Sequence, residues 1–204
     1  MSRISALSKD AVPELAEGFA KVEAILGFVP NSNLIMARHP ALLRGFQQLA
    51  VAALAPGKVP APVKIMVAHM ASHASGCNYC IAHTGHITEK NGIPAEKFAA
   101  IWDYETSALY SPAERAAIAV ARGAAQVPNS VTDSDFDELK RHWSEDQCVE
   151  IVGVIALYGF LNRFNDTVAT DLENHPLEFA RANLAGKGWE LGKHGGDQSR
   201  DDGR

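Results

Sequence analysis

Residues 76–86 read GCNYCIAHTGH and hold two of the chain's three cysteines and two of its eight histidines. Cys77 and Cys80 are spaced i, i+3, so on the first turn of a helix both sulfurs lie on one face. The unpaired N–H groups and dipole of a helix N-terminus favour thiolate over thiol there. Such a pair can close into a disulfide, hold a reactive thiolate or ligate a metal. His83 lies one further helical step from Cys80, and an imidazole with an ordinary pKa near 6.5 suits proton exchange with that sulfur. His73 and His69 precede Cys77 by four and eight residues and form a second polar stripe if their helix ends near Gly76. Cys77, Cys80, His83 and His86 are the right ligand types for zinc. Structural zinc sites, however, draw ligand pairs from two separated elements, and four ligands on one helix surround an ion poorly. The expectation is therefore a redox pair with no resident metal and no cofactor. Cys148 sits in an apolar stretch and reads as a small buried hydrophobe.

The elements that must position this segment are all helical. Pro13 opens VPELAEGFAKVEAILG, in which apolar residues recur at helical spacing. GFVPNSN reads as a turn and Pro40 opens the next helix. PGKVPAP separates that helix from VKIMVAHMASHAS, which runs up to the cysteines. Ser111, Pro112 and Glu114 form a capping box with proline at the first helical position. Thr132 with Asp135, and Ser144 with Gln147, start two more helices. Alternating apolar and polar residues bounded by hairpin turns are missing, so no strand is expected. The fold class is all-α, with roughly seven or eight helices in one domain over residues 1–191. GKHGGDQSRDDGR, from residue 192, has no apolar residue and reads as a disordered tail.

The chain of 204 residues is 47% hydrophobic and 21% charged, enough for one substantial core. Its net charge of -5 and the lack of a basic run argue against a nucleic-acid partner. IVGVIALYGFL, the longest apolar run, is too short to span a bilayer. MSRISALSKDAVPEL lacks the apolar region of a secretory signal. The expectation is a cytoplasmic protein without a membrane partner, where a CxxC pair is reduced and catalytic or metal-binding rather than structural.

Three stretches resemble the alkylhydroperoxidase D-like, carboxymuconolactone decarboxylase superfamily, in its peroxidase-related branch: residues 27–49, GFVPNSNLIMARHPALLRGFQQL; residues 72–86, SHASGCNYCIAHTGH; and residues 132–173, which include FLNRFND. The resemblance implies an all-α bundle with two related helical halves, assembled into trimers or hexamers. It implies thiol-dependent reduction of a hydroperoxide, with a dithiol protein as reductant. In that scheme Cys80 attacks the peroxide, Cys77 resolves the sulfenic acid and His83 takes the proton. The family's glutamate, which starts a proton relay, has Ile65 at its position, and residues 60–80 contain no carboxylate. His73, His69 and Tyr79 are the candidates for a relay in its place. The alternatives are a lactone-acid decarboxylase, the family's other named activity, and a zinc-binding or redox-sensing oligomer.

Overall fold

The computed structural model describes residues 1–88 and 91–196. Ten α-helices order these residues: α1 Ala16–Leu26, α2 Asn31–Met36, α3 Pro40–Leu54, α4 Ala61–Ala74, α5 Asn78–His86, α6 Ala95–Ala99, α7 Pro112–Ala124, α8 Asp133–His142, α9 Glu145–Val168 and α10 Asn174–Asn183. Short 3-10 turns join some of them, and no strand occurs among the described residues. Eight helices have nine or more residues. The two short ones, α2 and α6, explain why fewer were expected. Asn31–Met36 follows Pro30 directly, and its first three residues fall in the stretch 27–33 that reads as a turn. It is one and a half turns of helix with Ile35 and Met36 buried, so burial rather than propensity holds it.

The predicted caps are in place. Ser111–Glu114, Thr132–Asp135 and Ser144–Gln147 each make both bonds of a capping box, satisfying two orphan N–H groups at each helix start. His39 caps α3 through Nδ1, which accepts from Leu42 N–H at 3.2 Å.

α4 is the central element and packs against α5, α7 and α9. Every residue from Val63 to Ser72 is buried, so no single apolar stripe marks it and its sequence is apolar nearly all round. The charged exception is Lys64. Its buried amine donates to the carbonyls of Ala53 and Ala55 and pairs with Glu150 on α9 at 3.0 Å. All three ammonium donors are used, which is what a buried lysine requires.

α4 ends in a Schellman motif. Gly76 is left-handed at φ 69°, its N–H bonds to the His73 carbonyl, and Cys77 N–H bonds to the Ser72 carbonyl. α5 begins at once, so Cys77 both closes α4 and caps α5. The expected break at Gly76 is thus a turn of fixed geometry.

His69 and His73 hold α4 to its neighbours. Trp102 Nε1–H donates to His73 Nδ1 at 3.2 Å, so His73 carries its proton on Nε2 and donates to His69 Nε2 at 3.1 Å. His69 Nδ1–H then donates to Thr84 Oγ1 at 2.8 Å, and Thr84 donates to carbonyls of α5. His69 also stacks on Phe98, with ring centroids 3.4 Å apart. Every donor and acceptor in this string is used with both rings neutral. Burial lowers His73 to about 4 and, together with His73, pushes His69 well below the usual imidazole range.

Residues 192–196, expected as the start of a tail, are part of the fold. Gly192–His194 form a 3-10 turn against α5, and His194 is buried. The absence of apolar side chains hid this, because the anchoring contacts are hydrogen bonds. The rest of the expected tail, 197–204, lies outside the described residues.

Two outcomes follow from this packing. A Cβ on Gly85 would stand 2.6 Å from Phe179 Cδ1, so Gly85→Ala forces α10 off α5 and should destabilise by about 1–3 kcal/mol, read as a lower melting temperature. The unfolded chain binds protons at His69 and His73 near pH 6.5 and the folded chain only far lower. Stability is therefore fully present above pH 6.5 and should fall as the pH drops toward about 4; denaturant titrations at pH 7 and pH 5 measure the loss.

Candidate active site

The site is built where α5 begins, against the C-terminal half of α9. Cys77 and Cys80 are free, buried thiols. Cys77 Sγ accepts the Cys80 backbone N–H at 3.4 Å, as an N-cap acceptor. From α9, Asn165 Nδ2 donates to Cys80 Sγ at 3.6 Å, while its Oδ1 is held by Thr170. Burial, its hydrogen bond and charge interaction with Cys77, and Asp166 push the Cys80 thiol well up, against the opposing Asn165 bond. Tyr158 on α9 is raised by burial and by Cys80.

The second half of the site is a carboxylate that the sequence reading did not single out. Glu173 begins α10 and lies ninety residues from His83, whose Nε2–H donates to Glu173 Oε2 at 2.6 Å. Tyr79 Oη–H donates to Oε1 at 2.8 Å, and Asn31 N–H of α2 donates to the same oxygen. Burial alone would raise this carboxyl; the His83 charge and the bonds from His83, Asn31 and Tyr79 outweigh it and hold Glu173 below its ordinary value. Tyr79 is raised well above its usual range by burial and then by Glu173, so its hydroxyl stays protonated. The Tyr79 and His83 rings stack 4.3 Å apart. Because Glu173 accepts from Nε2, a neutral His83 has its lone pair on Nδ1. The position of Ile65 is buried and apolar; a carboxylate reaches the histidine from α10 instead.

The other sequence candidates separate into two groups. Tyr79 and His83 join the carboxylate network. The hydrogen bonds of His69 and His73 lead to Trp102 and Thr84, and none described reaches a thiol. Phe28 packs against both His83 and His86, its ring 5.8 and 5.7 Å from theirs. Cys148 is buried and donates to the Trp143 carbonyl. The groups able to hold a metal differ from the CxxC-plus-histidine set considered above. Cys77, Asp166 and His194 place a sulfur, a carboxylate oxygen and a ring nitrogen within 4.8 Å of one another. A cavity of about 630 Å³ opens on the far side of the carboxylate network, with Glu173 and His194 in its wall and Asn31, Leu177 and Leu191 around them; neither cysteine lines it.

Residues 40–123 match the model of the carboxymuconolactone decarboxylase family. Among solved structures, the debrominase Bmp8, crystallised as a cysteine-to-alanine variant in complex with 2,3,4-tribromopyrrole, is 34% identical, with a TM-score of 0.83 over 88% of this chain and 96% of that one. The alkylhydroperoxidase AhpD core of an uncharacterized peroxidase-related protein from Ralstonia eutropha JMP134 is 23% identical, with a TM-score of 0.76 over 87% of this chain and 94% of that one; it shows the shared fold. The uncharacterized protein YnjA of Escherichia coli K12 is 29% identical over 93 residues, 45% of this chain and about half the length of that relative. The long match to Bmp8, together with the family model, means that the chain belongs to the carboxymuconolactone decarboxylase family, and it shares the helical fold of the alkylhydroperoxidase AhpD core.

Proposed function

We propose that this protein is a thiol-dependent hydroperoxide reductase in which Cys77 and Cys80 cycle between dithiol and disulfide. One observation carries the reading: two free thiols share the first turn of α5, and the sulfur of one accepts the backbone N–H of the other. A thiolate attacks the distal oxygen of the hydroperoxide, the S–O bond forms as O–O breaks, and the alcohol leaves with a proton. The second thiol then attacks the sulfenic sulfur and releases water, so the pair gives up two electrons and closes. A dithiol protein returns them. His83, fixed by Glu173 at the cavity wall, exchanges the proton on the substrate side, and Tyr79 supports the carboxylate. His69 and His73 serve packing in this scheme. Homo-oligomer formation is supported by the exposed Leu49, Val51, Val149 and Val152 on the packed helices α3 and α9. A cytoplasmic setting fits a pair that must be re-reduced.

The likeness to Bmp8 favours a second reading, reductive debromination of an aromatic ring. The electron balance is the same: sulfur takes bromine in place of oxygen, the ring carbon gains a proton, and disulfide closure expels bromide. A decarboxylase would leave the cysteine pair without a role.

Reduced protein treated with one equivalent of cumene hydroperoxide should lose two of its three thiols and show a Cys77–Cys80 disulfide by mass spectrometry. Cys80→Ser should abolish turnover. Unchanged thiols would sink the peroxidase reading, and bromide release from 2,3,4-tribromopyrrole by the same sample would establish the second. Glu173→Gln should lower turnover ~10²-fold. The amide still accepts from Tyr79 and Asn31 but presents N–H to His83, which forces the proton onto Nδ1. Circular dichroism should show the fold retained.

A further inference from the structure

We propose that Cys77, Asp166 and His194 form a binding site for a zinc-type divalent cation, and that the bound ion holds Cys77 out of disulfide formation. The masking half of this rests on the thiol-reductase reading; the site itself does not.

The three ligand atoms come from three separated elements: the junction of α4 and α5, the C-terminal half of α9 and the short turn Gly192–His194. They lie within 4.8 Å of one another. That arrangement meets the requirement on which the CxxC-plus-histidine set fails, since the ligands approach an ion from different sides. A thiolate, an imidazole and a carboxylate suit zinc, with a fourth position left for water. The two anionic ligands together balance the charge of the ion.

The ring of His194 points to a ligand independently of that clustering. It is buried, 2% exposed. Its Nδ1 lies 2.8 Å from the Thr170 carbonyl, which can only accept, so Nδ1 carries the proton. The lone pair is therefore on Nε2, a buried atom with no hydrogen-bond partner. A carbonyl holding one ring nitrogen while the other stands bare is how proteins set a metal-binding imidazole. Opposite Nε2 stands a second acceptor, Asp166 Oδ1, at 3.7 Å, while the other carboxylate oxygen is held by Lys193 at 2.7 Å. Two acceptors face each other, and the single proton of Cys77 could serve only one of them. A cation among the three atoms satisfies all of them at once. Zinc with ordinary bond lengths holds its nitrogen and oxygen ligands roughly 3.3–3.6 Å apart, so the Nε2–Oδ1 gap closes with a slight movement. The Asp166 side chain is 37% exposed, which gives the ion a way in and water the fourth position.

Cys77 binds as the thiolate and releases its proton to solvent. Its bond from the Cys80 N–H strengthens when the sulfur is anionic. Cys80 Sγ, bonded to Asn165, is not one of the three ligand atoms. A metal-bound Cys77 must leave the ion before its bond to Cys80 can form, so metal and disulfide compete for one sulfur while the attacking thiol stays free.

The test uses the reduced full chain, freed of metal by a chelator and titrated with zinc chloride, and with cobalt(II) as a spectroscopic stand-in. One equivalent should bind, and cobalt should give a thiolate-to-metal charge-transfer band. X-ray absorption at the zinc edge should show one sulfur at about 2.3 Å, the other donors being nitrogen and oxygen. His194→Gln and Asp166→Asn should each weaken zinc binding at least ~10-fold. Asp166→Asn, at a partly exposed position, keeps the question answerable if His194→Gln does not fold. No zinc bound, two sulfurs around the ion, binding unchanged in both variants, or binding that survives Cys77→Ser would each overturn the site. In the zinc-loaded protein one equivalent of cumene hydroperoxide should leave the Cys77–Cys80 disulfide unformed until a chelator is added; disulfide formation at the metal-free rate would overturn the masking. Zinc bound as expected by a protein that ignores hydroperoxides with and without the ion would remove the peroxidase reading and leave the site standing.

Discussion

A carboxylate offers about four lone-pair sites, and Glu173 uses its two oxygens to bind three elements that the chain keeps far apart. It takes the Asn31 N–H from α2, the hydroxyl and imidazole of α5, and stands itself at the head of α10. Largely buried as it is, the charge is tolerable because three donors converge on its two oxygens. The consequence runs both ways. The donors fix Tyr79 and His83 in position and tautomer, and the geometry of α10 against α5 becomes part of the chemistry. Gly85, which lets Phe179 approach α5, therefore belongs to the site as much as to the core.

Local rules made much of the fold legible. Ser111, Thr132 and Ser144 announce their helices because a cap and its partner lie three residues apart, and the bond needs nothing else. The start of α5 at Cys77 was readable for the same reason, with Gly76 before it. α2 was not, because a helix of six residues is held by what it packs on. Lys64 gave no signal either; an isolated lysine in an apolar helix looks like a surface position until the carbonyls of Ala53 and Ala55 and the Glu150 carboxylate are seen around it.

The site divides along the same line. Cys77, Cys80, His83 and Tyr79 share one helix, and spacing brought them together. Glu173, Asn165 and His194 come from elsewhere and have no spacing relation to the cysteines. Glu173 closed the stretch of 132–173 that resembled the family, yet nothing in that resemblance gave it a role. His194 sits among glycines and charges, a composition that describes a tail well and says nothing about a single ring buried by hydrogen bonds. The histidine stripe of α4 was readable as a stripe, but its direction was not. Trp102 at one end and Thr84 at the other turn it into a neutral brace.

In the proposed cycle Cys77 serves two masters, since the sulfur that would carry the redox chemistry also caps the start of α5. A thiolate is a good acceptor for the Cys80 N–H, and a disulfide sulfur is a poor one, so oxidation removes a helix cap worth about 1 kcal/mol. That energy favours the reduced pair and, for a two-electron couple, raises its potential by about 20 mV. On that reading the fold returns part of the work of re-reduction: the oxidised protein would carry a frayed helix start that only the dithiol can mend.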